Sequence, residues 1–376
     1  MKRQFFIYPT TLGNRLSRMM LSWMMILALV LSGSTTFVSC SSNDNPIEVV
    51  TPPQVEARYL TAADLRENVS AEENASTYAP YKEWRADALE AGEALFNLRF
   101  TTNEFDATTE NSQELPDPSY VPTRRGLDGL NISGSARPTK KQLEELAVTL
   151  KQKAGNMPVF LVDLRSETHA IINGHHLSQY GFQNWVNIGK SKNEIVEHEK
   201  QLVNSLKGGK ITYAKIGSST NYEPKNAVEV EVSEALTEEE LVTSLGMKYQ
   251  RITALDHVFQ KDAIIDDFLE FYRSLPADGA WVHFHCQAGR GRTTFFMCLY
   301  DMLRNPDVPL KDIIYRQTLI GGTSMLNDGT GQAEWRQDLF KEISVMMPVI
   351  YAYVQENVKN GYSVPWSTWK KQKYNL

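Results

Sequence analysis

His285-Cys286-Gln287-Ala288-Gly289-Arg290-Gly291-Arg292-Thr293 lies between two apolar stretches, Ala280-Trp281-Val282-His283-Phe284 before it and Thr294-Phe295-Phe296-Met297-Cys298-Leu299-Tyr300 after it. The first reads as a short buried strand and the second as a helix, so the cysteine falls between a strand end and a helix start. Gly289 and Gly291 let the backbone bend until successive N–H groups point inward. The helix N-terminus adds its partial positive charge, and the loop becomes a cradle for a tetrahedral oxyanion such as phosphate. The same field favours thiolate over thiol and arms Cys286 as a nucleophile. Arg292 can fork onto two phosphate oxygens and follow the charge into the transition state. The Thr293 hydroxyl can donate to the sulfur when it leaves again.

A bare Cys-x5-Arg spacing is weak; the preceding His, both glycines, the following Thr and the strand-loop-helix frame together make it specific. With these in place the chain resembles the cysteine-dependent phosphatases of the protein tyrosine phosphatase superfamily, whose signature is His-Cys-x5-Arg-Ser/Thr. The resemblance implies Cys286, Arg292 and Thr293 as catalytic residues, with Gln287, Ala288, Gly289, Arg290 and Gly291 around the bound phosphate. The chemistry asks for no metal and no cofactor.

Length and composition bound the rest. A chain of 376 residues with 42% hydrophobic content can bury one large core or two modest ones, and nothing points to collagen, coiled coil or wholesale disorder. The net charge is -6, and because the first 39 residues hold Lys2, Arg3, Arg15 and Arg18 with no acid, the remainder is more acidic still. Such a chain is a poor general binder of nucleic acid, so any attraction for an anionic substrate has to come from a local basic pocket.

The N-terminus reads as an address. A basic segment is followed by the apolar run Met19 to Leu31, short for a bilayer span and right for a signal peptide. Phe37-Val38-Ser39-Cys40 resembles a bacterial lipobox, in which cleavage before the cysteine precedes its lipidation, although Phe37 replaces the usual Leu. The expected organisation is a signal peptide over 1–39, a polar, proline-bearing tether over 40–57 and a phosphatase domain over 58–376, exported and lipid-anchored to a bacterial membrane through Cys40. Cys298, on an apolar helix, reads as a small core residue, and no disulfide framework remains.

Beyond a segment with helical spacing around Trp84 to Leu95, Thr139 with Gln142 matches a capping box, and Leu143, Leu146, Ala147 and Leu150 form one helix face before Gly155. Pro158 to Leu164 is a buried-type strand. A helix followed by an apolar strand, repeated before Cys286, argues for α/β layers. That strand ends in Asp163-Leu164-Arg165-Ser166-Glu167-Thr168-His169, followed by Asn173-Gly174 and Asn184-Trp185-Val186-Asn187-Ile188-Gly189-Lys190. Charged residues at such an end point towards the crevice where open α/β sheets bind ligands.

These runs, with Ser133-Gly134-Ser135-Ala136 and the terminal Gly361-Tyr362-Ser363-Val364-Pro365-Trp366-Ser367-x-Trp369, look like the protein-tyrosine-phosphatase-like phytases from about Leu95 to the C-terminus. The resemblance implies a phosphatase core, a central sheet flanked by helices, with a small β-rich partial barrel inserted at about 191–248. In that interval Ile211 to Ile216 and Val228 to Val232 alternate as half-wet strands.

A phosphomonoester needs a proton for its leaving oxygen, and a loop carboxylic acid can supply it and later activate water. Asp256, Asp262, Asp266 and Asp267 compete on composition alone. The family's acid loop, followed by His, resembles Asp256-His257 and selects Asp256. Arg99, Asp163, Lys190, His257 and Arg336 are expected around the substrate. On the last long helix, about Glu334 to Asn357 and interrupted by Pro348, the family pattern of Lys, Tyr and Lys corresponds to Arg336, Phe340 and Ile343. Arg290 adds a cation inside the loop that resembles the basic loops of inositol-lipid phosphatases. The expected activity is removal of phosphate from phytate-like inositol polyphosphates through a phosphocysteine. Phosphatases for phosphotyrosine or inositol lipids, and a silent polyanion-binding lipoprotein, are the alternatives.

Overall fold

An apolar strand without alternation has to be covered on both faces, and Trp281–Cys286 is buried at all six positions. The computed structural model describes residues 55–68, 83–86, 94–216 and 224–376. The expected signal peptide, Cys40 and nearly all of the tether lie outside them. The strands, in chain order, are β1 (Glu83–Ala86), β2 (Arg99–Phe100), β3 (Ile132–Ala136), β4 (Val159–Asp163), β5 (His169–Ile172), β6 (His175–Tyr180), β7 (Lys210–Ile216), β8 (Pro224–Glu231), β9 (Ala235–Leu236), β10 (Lys248–Arg251) and β11 (Trp281–Cys286).

The central sheet has the order β10-β4-β11-β3-β2, parallel from β10 to β3 with β2 antiparallel at the edge. Strand β11 stands in the middle, with His285 opposite Asp163 on one side and Ser135 on the other. On one face lies the helix Lys140–Ala154, started by the reciprocal Thr139–Gln142 capping box. Its Leu143, Leu146, Ala147 and Leu150 pack with Val159, Leu161 and Trp281. The other face carries the helices Asp262–Ser274 and Gly291–Arg304, which share a core through Ile265, Phe268, Phe284 and Phe296. Each such side chain contributes about 1.5–3 kcal/mol on burial. Pro348 lies within the helix Glu334–Asn357. Beyond it, Trp366 and Trp369 meet Tyr353 edge-on at 5.8 and 5.6 Å. Among the described residues no helix is long and apolar enough to cross a membrane.

The second sheet, ordered β8-β7-β1-β6-β5-β9, differs in extent from the expected insert at 191–248. It begins earlier, at His169, because Asn173 and Gly174 take φ of 50° and 82° and close a tight hairpin between β5 and β6. It ends earlier too, with β9 at Leu236, and the helix Glu238–Ser244 that follows packs Leu241 and Val242 with Leu161 and Trp281 of the central sheet. It also recruits β1 from the segment whose spacing reads as helical. Glu83–Ala86 pairs with β6 on one side and β7 on the other, and those ladders override a local preference.

Where the two sheets meet, charge is fully buried. Arg165 binds Asp163 at 2.7 Å and also Glu238, while Arg251 binds Asp163 and Glu199, each at 3.1 Å. Interior charges persist only when paired in this way. His169 joins them, 3.0 Å from Asp163. Burial and the guanidiniums oppose its protonation, but Glu199 and Asp163 prevail and raise its pKa from 6.5 to about 9.

Candidate active site

The phosphate loop owes its shape to donors outside it. Arg137 donates to the carbonyl of Gln287, Asn97 Nδ2 to that of Ala288 at 2.8 Å, Arg99 to that of Gly289 at 2.6 Å, and Thr294 Oγ1 to that of Arg290 at 2.8 Å. In a trans peptide the carbonyl and the next N–H point opposite ways. Four carbonyls tied outward therefore turn the N–H groups of Ala288, Gly289, Arg290 and Gly291 into the cradle. Gly289, at φ 70°, lies so close to β3 that a Cβ would sit 2.3 Å from the Ala136 nitrogen. No other residue fits there.

Cys286 ends β11 on the floor of a cavity of about 600 Å³, 3% exposed. Thr293 Oγ1 donates to its Sγ at 3.2 Å. Arg292, at the first turn of the helix Gly291–Arg304, is gripped by the buried Glu167, with Nη1 to Oε2 at 2.7 Å and Nη2 to Oε1 at 3.0 Å. Its Nη2 also lies 3.2 Å from Asp256 Oδ2. Burial works against the guanidinium's charge, but Asp256 and Glu167 more than restore it and raise its pKa further.

Asp256 hangs over the loop. Its Oδ2 accepts from Asn184 Nδ2 at 2.7 Å, its Oδ1 from the His257 N–H at 3.0 Å, and its carbonyl from Trp185 Nε1 at 2.9 Å. Burial pushes the carboxyl up, but Arg292, His257 and the amide donors hold it well below the usual range. His257, at φ 66°, approaches Arg336 at 3.3 Å. Burial lowers its pKa against the pull of Asp256.

Cys286, Gln287, Ala288, Arg290, Gly291, Arg292, Asp256, His257 and Arg336 all line this cavity, as do Phe340 and Ile343. Four residues expected around the substrate do not: Gly289, which backs onto β3, and Asp163, Arg99 and Lys190. Asp163 is wholly buried in the inter-sheet charge cluster, where Arg165 and Arg251 claim it. Arg99 is 1% exposed and acts from behind, on the Gly289 carbonyl. Lys190 turns its Nζ to Asn187 Oδ1 at 2.9 Å. In their place the cavity takes Arg85 from β1 and the apolar Phe96 and Met325. Of the residues that shape the site, Asn97 and Arg137 have no periodic or motif signal of their own. Glu167 and Asn184 do fall within the two runs that carry the family likeness.

The arrangement can hold a phosphoryl group against a thiolate and protonate what leaves. A family model for PTP-like phytases, described as "Inositol hexakisphosphate", matches residues 162–304. The solved tandemly repeated protein tyrosine phosphatase like phytase from Mitsuokella multacida is 37% identical to this chain, with a TM-score of 0.72 over 77% of it. The chain is similar to the protein-tyrosine-phosphatase-like phytases, and over residues 162–304 it matches their family model.

The family's PTP-like myo-inositol phosphatase from the same organism, solved in complex with myo-inositol-(1,3,4,5)-tetrakisphosphate, is 36% identical over 78% of this chain with a TM-score of 0.73. A PTP-like phytase from Bdellovibrio bacteriovorus is 29% identical, with a TM-score of 0.58 over 77% of this chain and 94% of its own. Among curated proteins, effector protein hopD2 of Pseudomonas syringae pv. tomato is 25% identical over 252 residues. The chain spans about half of its longer relatives: 52% of hopD2 and 49% of each Mitsuokella chain.

Proposed function

We propose that the protein removes phosphate from myo-inositol polyphosphates through a phosphocysteine intermediate. The observation that carries this reading is the convergence of Cys286, Arg292 and Asp256 on one cavity whose lining bears three further guanidiniums, Arg85, Arg290 and Arg336. A dense polyanion is the ligand that such a lining suits. The tetrakisphosphate complex of the Mitsuokella relative supports the same substrate class.

In the first step the Cys286 thiolate forms the S–P bond, the P–O bond breaks, and Asp256 gives its proton to the leaving alkoxide. Arg292 and the loop amides hold the three non-bridging oxygens, where charge is spread in the transition state. Asp256 then takes a proton from water as that water attacks phosphorus and the thiolate departs, helped by the Thr293 hydroxyl.

A second reading has a specific observation behind it. Phe96, Met325, Phe340 and Ile343 give the cavity an apolar side, as a phosphotyrosine ring or an inositol lipid would use. Phosphate release by the chain from Ser41 onward, in EDTA, from phytate, a phosphotyrosine peptide and an inositol phospholipid decides between them, with Cys286→Ser as the blank. Fastest release from phytate is expected. Preference for either other substrate moves the assignment, and no Cys286-dependent release from any of them leaves a polyanion-binding protein.

We also propose that the protein is exported and lipid-anchored through Cys40, on the support of the basic N-terminal segment, the Met19 to Leu31 run and the Phe37-Val38-Ser39-Cys40 sequence. Mass spectrometry of the mature N-terminus should find a diacylated Cys40; an unmodified chain beginning elsewhere would sink the idea.

A further inference from the structure

A carboxylic acid on a loop serves as an acid only if something aims it. Asn184 spends both amide hydrogens on this site, one on Asp256 Oδ2 at 2.7 Å and one on Gln287 Oε1 at 2.9 Å. One side chain thus ties the acid directly to the phosphate loop. Trp185, next in sequence, donates its Nε1 to the Asp256 carbonyl at 2.9 Å and fixes the backbone from which the acid projects.

The tie is held at a cost. Gln183 and Asn184 are consecutive non-glycine residues in the left-handed region, at φ 55° and 64°, a conformation that costs Gln183 about 1–2 kcal/mol and that asparagine adopts more readily. Asn184 is only 5% exposed, and its Oδ1 finds no partner among the described residues. A strained backbone at Gln183 and an unsatisfied buried oxygen on Asn184 therefore stand together where one side chain touches both halves of the catalytic apparatus. Stability alone gives no reason to keep such a residue; orientation of Asp256 does.

We propose that Asn184 is a positioning residue for the general acid, holding Asp256 in register with the phosphate loop so that its proton reaches the leaving oxygen. The proposal rests on the phosphatase reading of Asp256. In the first step the proton passes from the Asp256 carboxyl to the alkoxide as the P–O bond breaks. In the second, the same carboxylate accepts a proton from the attacking water. Both transfers require the carboxyl to keep one height above the sulfur.

The leaving group separates this role from a merely structural one. A p-nitrophenolate departs well without a proton, whereas an inositol alkoxide does not. The test is kcat/KM, which ends at phosphocysteine formation, for p-nitrophenyl phosphate and for phytate. The variants are Asn184→Gly, Asn184→Asp, Asp256→Asn and the Asn184→Gly/Asp256→Asn double. Glycine relieves the positive φ, and aspartate is isosteric and tolerates it, so both variants fit the backbone. Each single Asn184 variant should lose roughly tenfold or more with phytate and little with p-nitrophenyl phosphate. Asn184→Gly should cost nothing further once Asp256 is Asn. Equal losses on both substrates, or losses that multiply in the double variant, would overturn the proposal. If Asp256→Asn is itself impaired equally on both substrates, Asp256 is not the acid and the underlying reading fails first.

Discussion

Replacing Glu167 by Gln tests whether Arg292 works because it is held. The carboxylate grips the guanidinium through two bonds, at 2.7 and 3.0 Å, and is itself fully buried. Gln keeps one acceptor and turns an NH2 group towards a guanidinium N–H, so one charge-assisted bond is lost and two donors face each other. A hydrogen bond to a charged group is worth about 1.5–3 kcal/mol. If that loss falls on the transition state, kcat/KM drops roughly ten- to a hundredfold. Arg292 acts on the phosphoryl oxygens and not on the leaving group, so p-nitrophenyl phosphate and phytate should suffer alike. The assay is kcat/KM on both substrates beside a thermal melt of each protein. A loss below about threefold on both would mean that Arg292 finds its place without Glu167. A loss confined to phytate would put Glu167 in the acid's service instead. Either result refutes the reasoning.

Gly289→Ala should abolish Cys286-dependent turnover, because its Cβ would lie 2.3 Å from the Ala136 nitrogen at a residue with φ 70°; loss of inorganic phosphate binding, read by calorimetry, checks it. Arg292 and the donors around it hold the pKa of the Asp256 carboxyl below the usual range, yet it must carry a proton to act, so phytate kcat/KM should fall as pH rises out of the acid range. Asp256→Asn should remove that limb, and Asn184→Gly, by deleting a donor to the carboxylate, should move it to higher pH; a limb that survives in Asp256→Asn belongs to another group. His169, with its pKa raised from 6.5 to about 9, stabilises the fold fully below pH 6.5 and loses that contribution as pH rises through 9. The effect is on the order of 3 kcal/mol. Denaturant unfolding from pH 6 to 10 should show the decline, and His169→Gln should flatten it.

What is legible in the sequence here is what is local. The cradle lies within one run of residues, so its glycines, its cysteine and its arginine can be read together. The capping box at Thr139 and the unbroken apolar strand before Cys286 are equally short-range. The supports of the cradle are not: Asn97 and Arg99 reach it from 191 and 190 residues away, and Glu167 reaches Arg292 across 125. Asp163 reads as a crevice residue because it ends a strand, but its strand end faces the second sheet, and Arg165 and Arg251 draw it inward. Asn173-Gly174 carries its own turn signal, and weighing it as a hairpin places the start of the second sheet near His169. The β1 strand, by contrast, exists only through its neighbours. Four residues with helical spacing become a strand because two others flank them, and nothing within the segment announces it.

On the proposed mechanism, the outward tethering of the phosphate loop bears on the end of each catalytic cycle. A cradle whose carbonyls are pinned from four sides keeps its form whether or not anything sits in it. It therefore offers the departing inorganic phosphate nearly the same welcome that it gave the ester. Tetrahedral anions of similar size, sulfate among them, compete on the same terms. On the proposed mechanism, affinity for the transferring group and reluctance to release the product come from one piece of geometry, and slower turnover under phosphate-rich conditions is the expected outcome.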